Sequence, residues 1–427
     1  MTLLLPNGED ILLAHGLGGP TDLPIPLLYA MVGASWALTI SFAVLVLAWK
    51  EPRFTSPAPT NDLPERRPWL AVIGSLVVAY LLLALYAGPA TDENAALGAF
   101  YVLMWVGLVP LALLLGHIWR DLSPWRTIQS LLGQVLRRPD GFAPYPVRLG
   151  YWPAAAGLFA FVWLELASND PGSVPAVRIW IAAYAVVMIV GGIVFGPRWF
   201  DRADPFDVYS AIVAKLSPFM QDGRRCLHNP LRSLVSIPID RGFIAVLATL
   251  LGSTAYDSFS ASSYWQSTSR SVFERSVTLL AFIALVATLF WLAARASGGL
   301  SEAEKTALPG LLAHSLTPIV VGYIFAHYLT FLLEKGPQMI IALGDPFGKG
   351  WQPFGAAAPS LWLSEHTSTL AGLTVGFVVI GHVMAVTAAH DRALALLPKA
   401  HRLSGQLAML VLMVAYTFAG LFLLFSV

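Results

Sequence analysis

Long apolar stretches recur along nearly the whole chain, and they restrict the fold more than any other feature of the sequence. A helix needs about 20 apolar residues to cross the hydrocarbon core of a bilayer, and its backbone groups must bond within the helix because no water is present there. The pattern predicts an all-α, polytopic transmembrane bundle of about ten spans. The predicted spans are 28–49, 69–89, 96–118, 151–167, 177–196, 242–257, 276–296, 315–333, 368–389 and 403–426.

The scarcity of charged residues leads to the same conclusion. Only 12% of the residues are charged, whereas 56% are hydrophobic, and a soluble chain carries about 25% charged residues. The net charge is +1 and no basic tract occurs, so nucleic acid is not an expected partner. The single cysteine, Cys226, rules out an internal disulfide. The expected surroundings of the chain are therefore a lipid bilayer.

Lysines and arginines indicate the orientation. With the N-terminus outside, 21 of the 26 basic residues fall in cytoplasmic loops, which is the side that carries the excess in membrane proteins. We therefore expect both termini on the outer face of a prokaryotic-type cytoplasmic (plasma) membrane. Five spans in each half would make the halves inverted, a plan that recurs in transporters.

Two loops of this single integral membrane domain (1–427) are expected to be structured. In the cytoplasmic loop 197–241, five apolar residues recur at helical spacing, which predicts an amphipathic helix on the membrane surface: Val208, Ile212, Val213, Leu216 and Phe219. The loop 334–367 is long and rich in Gly, Pro and Trp, and we expect it to form an extracytoplasmic cap. Gly372 and Gly376 form a GxxxG pattern in span nine, which predicts close helix packing.

Polar residues inside the apolar segments mark the candidate site, because a charged group near the bilayer centre costs about 2.5–3.5 kcal/mol or more. In span eight, four polar residues follow helical spacing on one face. Span six ends near an aspartate and span four near a glutamate. Under the proposed topology, Glu165, Asp257, His327 and Glu334 fall in the outer half of the membrane or at its outer edge, and we predict a substrate- or ion-binding site formed by Glu165, Asp257, Tyr323, His327, Thr330 and Glu334.

A structural explanation of the same residues stays open. Glu165, Asp257 and Glu334 lie near span ends, where a carboxylate can reach water, and His327 could donate one hydrogen bond between helices. The sequence contains no catalytic motif: GDPFGKG at 344–350 lacks the spacing and the hydroxyl residue of a phosphate loop. We therefore assign no catalytic residue and favour a chain that is not an enzyme.

Transport of a small solute or ion is the leading functional hypothesis. A membrane redox protein is the first alternative, since haem b needs two imidazoles at matching depth and His327, His382 and His117 lie in or beside spans. Counting about 1.5 Å per residue places His327 and His382 at different depths, so no cofactor is predicted, and no metal is assigned. An accessory or assembly subunit, with a membrane-protein partner or a second copy of the chain, is the other alternative.

Four segments carry a resemblance to known sequences: WLELASNDP at 163–171, GSTAYDSFS at 252–260, AHYLTFLLEKG at 326–336 and GHVMAVTAAHDRAL at 381–394. They resemble stretches in uncharacterised polytopic membrane proteins of high-GC Gram-positive bacteria. The resemblance spans most of the chain and includes Glu165, Asp257, His327 and His382. It implies a bacterial membrane protein and no particular activity.

Overall fold

The computed structural model describes residues 23–54, 66–91, 94–221, 224–353, 355 and 360–425. Apart from one hairpin of two-residue strands, the regular structure in these ranges is helical. The elements up to residue 225 are α1 Leu27–Ala48, α2 Pro68–Ala87, α3 Ala95–Gly98, a π-helix Ala99–Val106, α4 Leu108–Leu115, α5 Ile118–Leu122, α6 Pro124–Val135, α7 Trp152–Leu166, α8 Val174–Phe195, α9 Pro197–Ala203, α10 Pro205–Ala214, β1 Met220–Gln221 and β2 Arg224–Arg225.

The second part of the chain continues with long helices interrupted by short ones. Its elements are α11 Pro230–Leu234, α12 Phe243–Ser260, α13 Ser263–Gln266, α14 Val272–Arg295, α15 Glu302–Leu312, a 3-10 helix Ala313–Leu316, α16 Thr317–Thr330, a π-helix Phe331–Lys335, α17 Gly336–Ala342, α18 Trp362–Glu365, α19 Thr367–Leu396, a 3-10 helix Lys399–His401 and α20 Ser404–Phe425.

The chain is an all-helical membrane protein. Eight helical segments of the described residues are long and apolar enough to cross a bilayer, and α3 to α4 form a ninth candidate that bends by 46°. Helix α7, in the fourth predicted span, has only 15 residues. Each of the ten predicted segments thus contains a helix. The eight long, apolar helical segments are the evidence that the chain is a membrane protein.

Serines and an aspartate define several helix starts. Ser271 and Glu274 form a reciprocal capping box at α14, and Ser301 and Glu304 form another at α15. Asp204 caps α10 by accepting from two backbone N–H groups. These side chains satisfy donors that the first turn of a helix leaves unpaired.

The chain divides into two compact units, where the sequence predicts one continuous domain. Of the described residues, unit 1 comprises those within Leu63–Cys226 and Leu329–Trp362, and unit 2 comprises those within Leu17–Asp62, Leu227–Tyr328 and Leu363–Val427. Because the units alternate along the chain, they do not coincide with sequential halves of five spans each.

An aromatic core holds unit 1 together. The ring of Phe161, which is fully buried, lies 5.1 Å from Phe100, 4.9 Å from Trp105, 5.8 Å from Trp180 and 5.5 Å from Phe206. Aromatic pairs at such tilted geometries stabilise a core beyond the area that they bury. The core joins α7, α8 and α10 to the bent third span.

Close glycine contacts organise unit 2. A Cβ atom added to Gly252 of α12 would lie 2.7 Å from the Cα of Ile283 in α14, and one on Gly322 of α16 would lie 2.7 Å from the carbonyl oxygen of Phe377 in α19. The prediction of close packing at Gly372 and Gly376 is wrong, because no atom lies within 4 Å of a Cβ added at either position. Small residues do bring helices together here, but these close glycines lie in α12 and α16.

Both predicted loop structures contain helices. Helix α10 forms within the predicted amphipathic segment, but Val208, Tyr209, Ile212 and Val213 are all buried. Its apolar residues are therefore covered by protein rather than presented to lipid, contrary to the sequence interpretation. The predicted cap segment contains α17 and a turn in which Asp345 accepts the N–H groups of residues 349–351.

Candidate functional site

Asp257 and His327 form a buried pair in unit 2. Asp257 lies one turn before the end of α12, and His327 lies in α16. The Nε2 atom of His327 is 2.9 Å from Oδ2 of Asp257, and both side chains are buried. The two residues, 70 positions apart in sequence, are thus held in direct contact inside an apolar bundle.

Ser258 extends this pair on the other side of the imidazole. Its Oγ atom lies 3.2 Å from Nδ1 of His327. Other hydroxyls of α12 bond back to their own helix: Thr249 donates to the carbonyl of Ala245 and Thr254 to that of Leu250. Since Asp257 accepts from Nε2–H, Nδ1 is the acceptor for the Ser258 hydroxyl. A neutral imidazole satisfies both bonds.

Tyr328 completes the cluster. Its hydroxyl donates to Oδ2 of Asp257 at 2.9 Å, and its ring stands perpendicular to that of His327 with the centroids 4.5 Å apart. Its backbone is non-helical (φ −110°, ψ 20°), and the π-helix that starts at Phe331 follows three residues later. On a regular helix, neighbouring residues point about 100° apart. The break at Tyr328 is therefore part of the local backbone that places Tyr328 and His327 on the same carboxylate.

The break also changes the predicted polar face of span eight. Tyr323 belongs to unit 2, where its hydroxyl donates to the carbonyl of Tyr416 at 3.1 Å. Thr330 and Glu334, like Glu165, belong to unit 1. The prediction of one continuous face through Tyr323, His327, Thr330 and Glu334 assumed a regular α-helix, whereas the backbone departs from helical geometry at Tyr328 and continues as a π-helix from Phe331. We define the relay cluster as Asp257, Ser258, His327 and Tyr328.

The histidines of the haem alternative have different surroundings. Both nitrogens of His327 face partners within the relay cluster. His382 donates from Nδ1 to the carbonyl of Val378 in its own helix at 2.9 Å, and its Nε2 finds no hydrogen-bond partner among the described residues. His117 lies in unit 1. Axial ligation by His327 would require it to give up one of its two hydrogen bonds.

A second buried polar cluster, which the sequence interpretation missed, lies in unit 1. Arg126 of α6 donates to Oδ2 of Asp207, at 2.7 Å from Nε and at a shorter distance from Nη2, and to Oδ1 of Asp201 at 2.7 Å. His117 also bonds Asp207 through Nε2. Burial alone would raise the pKa of Asp207, but Arg126 and His117 lower it to about 2. Asp207 is thus a carboxylate with two basic partners.

Asp204 lies beside Asp207 and accepts hydrogen bonds from neutral groups. Tyr184 of α8 donates to its Oδ1 at 2.8 Å, and Nε1 of Trp119 in α5 donates to its Oδ2 at 3.2 Å. Asp204 lies between α9 and α10, outside the candidate spans. Burial, together with the charge of Asp207, raises the pKa of Asp204 to about 6. We define the corner cluster as His117, Arg126, Asp201, Asp204 and Asp207.

In the described part of the chain, no group of three or more His, Cys, Asp or Glu side chains is arranged to hold a metal ion. Comparison of the sequence and structure with protein families, curated proteins and solved structures gave no match.

Proposed function

We propose that this protein is a permease of a bacterial cytoplasmic membrane that moves a small solute or ion, with the relay cluster as its proton-binding site. The proposal includes ten spans with both termini outside. The observation that carries it is the continuous chain of hydrogen bonds from Ser258 through His327 to Asp257 and Tyr328.

The cost of burying such groups is the first support. A carboxylate in a bilayer-embedded bundle is expensive, and intramembrane ionisable residues commonly belong to ion pathways or proton relays. Asp257 is stabilised there by donors from His327 and Tyr328. A purely structural contact between two helices needs only one neutral hydrogen bond, so an imidazole on an aspartate exceeds what packing requires.

The chemistry of the chain is the second support. Imidazole accepts a proton at one nitrogen and releases one from the other, and its two nitrogens here face a hydroxyl and a carboxylate. A proton that arrives at Nδ1 of His327 can therefore leave from Nε2 to Asp257. The chain returns to its starting state when Asp257 releases this proton on the other side and the imidazole ring turns over, which places the N–H at Nε2 again.

The same three side chains resemble a serine-hydrolase triad, in which a base activates a hydroxyl and a carboxylate orients the base. Ser258 is only 2% exposed, so an acyl substrate cannot approach its Oγ atom in this conformation. Such catalysis also needs donors directed at the oxyanion, and the N–H groups around Ser258 lie within helix α12. Proton transfer, which needs no substrate at Ser258, fits the geometry better.

Charge movement after a pH jump tests the proposal without knowledge of the solute. Purified protein in liposomes on a solid-supported membrane should give a transient current when the external pH is stepped from 7.5 to 6. Asp257→Asn and His327→Gln should reduce this current at least about tenfold, a change equivalent to about 1.4 kcal/mol. Thr249→Ala, which removes a buried hydroxyl that bonds only its own helix turn, is the matched control.

A screen for the solute follows with the same preparation. Steps of Na⁺, K⁺, amino acids and sugars are applied at constant pH, and a current that requires both one of these solutes and Asp257 identifies the substrate class. Wild-type pH-jump currents equal to those of Asp257→Asn would show that the relay cluster does not exchange protons and would end the proposal.

A further inference from the structure

The carboxylate of Asp204 has unusual surroundings for a buried charge. It is 0% exposed, and it accepts from the phenol of Tyr184, the indole of Trp119 and the backbone N–H groups of Phe206 and Asp207. Within the described residues, no Arg, Lys or His nitrogen lies within ion-pair distance of it. Buried carboxylates are normally paired with a cation or protonated.

The neighbouring residues increase the negative charge around it. Asp207 lies one helical turn further along the chain, in α10, and its carboxylate is already in contact with Arg126 and His117. Arg126 is shared with Asp201. The corner cluster therefore combines three carboxylates with one guanidinium and one imidazole, and it retains a net negative charge even when His117 is protonated. One bound proton restores neutrality.

Arg66 lies near the corner cluster but bonds other groups. It contributes a positive charge near Asp207, while its guanidinium donates to the carbonyls of Asp121 and Ser123 and to the hydroxyl of Thr127. Arg120 and Asp121 of α5 also act on Arg66. The groups that act on Asp204 are Asp207, Tyr184 and Trp119, and those that act on Asp207 are Arg126 and His117.

We infer that the corner cluster of unit 1 is a second proton-binding site, with Asp204 as the group that takes up the proton. His117, whose side chain is 29% exposed, is the contact with solvent. Its Nε2 atom bonds Asp207, which in turn lies beside Asp204. The site is chemically distinct from the relay cluster, and it does not depend on the proposed transport function.

Protonation affects more than one element of unit 1. Asp204 caps α10, holds α8 through Tyr184 and holds α5 through Trp119. Hydrogen bonds to an ionised acceptor are stronger than bonds to a neutral one. Loss of the negative charge therefore weakens three attachments at once, and the indole of Trp119 reports the change.

Proton uptake measured with an indicator dye tests the inference. Purified wild-type protein in detergent is brought from pH 7.5 to 5, and the protons bound per molecule are counted by back-titration against a buffer blank. Burial and Asp207 raise the pKa of Asp204 to about 6. We expect Asp204→Asn to bind about one proton fewer than the wild type, with the difference centred near pH 6. Asparagine is as good a helix cap as aspartate, so α10 should be retained.

A second pair of variants separates proton binding from a structural role. Tyr184→Phe removes one donor to the carboxylate, and the midpoint of uptake should rise by about half a pH unit or more. Tyr209→Phe is the matched control, because the buried Tyr209 hydroxyl has no hydrogen-bond partner in the described part of the chain, and the midpoint should stay unchanged.

The outcomes distinguish this site from the relay cluster. Asp257→Asn should leave the proton of Asp204 in place, even where it abolishes the pH-jump current. Equal proton uptake by wild type and Asp204→Asn, with both folded as judged by their melting temperatures, would overturn the inference. An unchanged midpoint in Tyr184→Phe would likewise show that the titrating group is not Asp204.

Discussion

Replacing Arg126 with methionine should destabilise the protein strongly. The guanidinium is buried, makes two bonds to Asp207 and one to Asp201, and lies 5.1 Å from the ring of Phe200. Methionine keeps much of the apolar contact with Phe200 but leaves the carboxylate of Asp207 buried with His117 as its basic partner. Removing one member of a buried ion pair costs about 3–5 kcal/mol.

A double substitution isolates the electrostatic part of this loss. In Arg126→Met/Asp207→Asn, the uncompensated charge is absent, and we expect the double variant to be more stable than Arg126→Met by about 1–3 kcal/mol. Arg198→Met, at an exposed position of α9, should change stability by less than about 0.5 kcal/mol.

Equilibrium unfolding in mixed detergent micelles, followed by tryptophan fluorescence, measures these differences. The fluorescence is informative because Trp119, Trp125 and Trp199 lie in the same unit as the corner cluster. A loss of less than about 1 kcal/mol for Arg126→Met, or a double variant less stable than the single one, would refute the view that the guanidinium is there to neutralise a buried carboxylate.

Three further predictions concern Asp204, two glycines and Ser258. Burial and Asp207 raise the pKa of Asp204 in the folded protein to about 6, so this group favours folding below about pH 4 and the contribution is lost as the pH rises to about 6. The contribution amounts to about 3 kcal/mol. If the stability of Asp204→Asn changed with pH in parallel with that of the wild type, this prediction would be contradicted. Gly322→Ala should cost about 1–3 kcal/mol through overpacking against α19, whereas Gly372→Ala, with open space around it, should be neutral or stabilising in the same unfolding assay. Fluorophosphonate probes should leave Ser258 unlabelled, and labelling that disappears in Ser258→Ala would favour a hydrolase instead.

The pair Asp257 and His327 could be predicted from the sequence because titratable residues are rare in apolar spans. Each stands against a background in which a charge is costly, so its position alone carries information. The partner Tyr328 was missed, since helical counting turns it about 100° away from His327. Only the non-helical backbone at Tyr328 brings its hydroxyl to Asp257.

Depth alone does not group residues into one site. Glu165 and Glu334 have the same predicted depth as Asp257, but they belong to unit 1 whereas Asp257 belongs to unit 2. Depth is one coordinate of three, and it follows from residue counting along each span. The position of a helix within the bundle depends on packing, which hydropathy does not encode. The helices themselves were predictable because crossing a bilayer requires a run of about 20 apolar residues, which can be read from each segment alone.

The corner cluster could not be predicted from the periodicity of its own segment. Aspartate, arginine and histidine are ordinary residues between spans, so their presence at 117–126 and 201–207 has little weight. At about 100° per residue, Phe206, Val208, Tyr209 and Ile212 fall within an arc of about 160°, which is the pattern of a helix on a surface. In the structure the opposite face is covered by protein as well, since Asp207 and Ser210 on that face are 1% and 0% exposed. A carboxylate in such surroundings needs a cation or a proton; Arg126 supplies the cation for Asp207, whereas no cation lies within ion-pair distance of Asp204 in the described part of the chain.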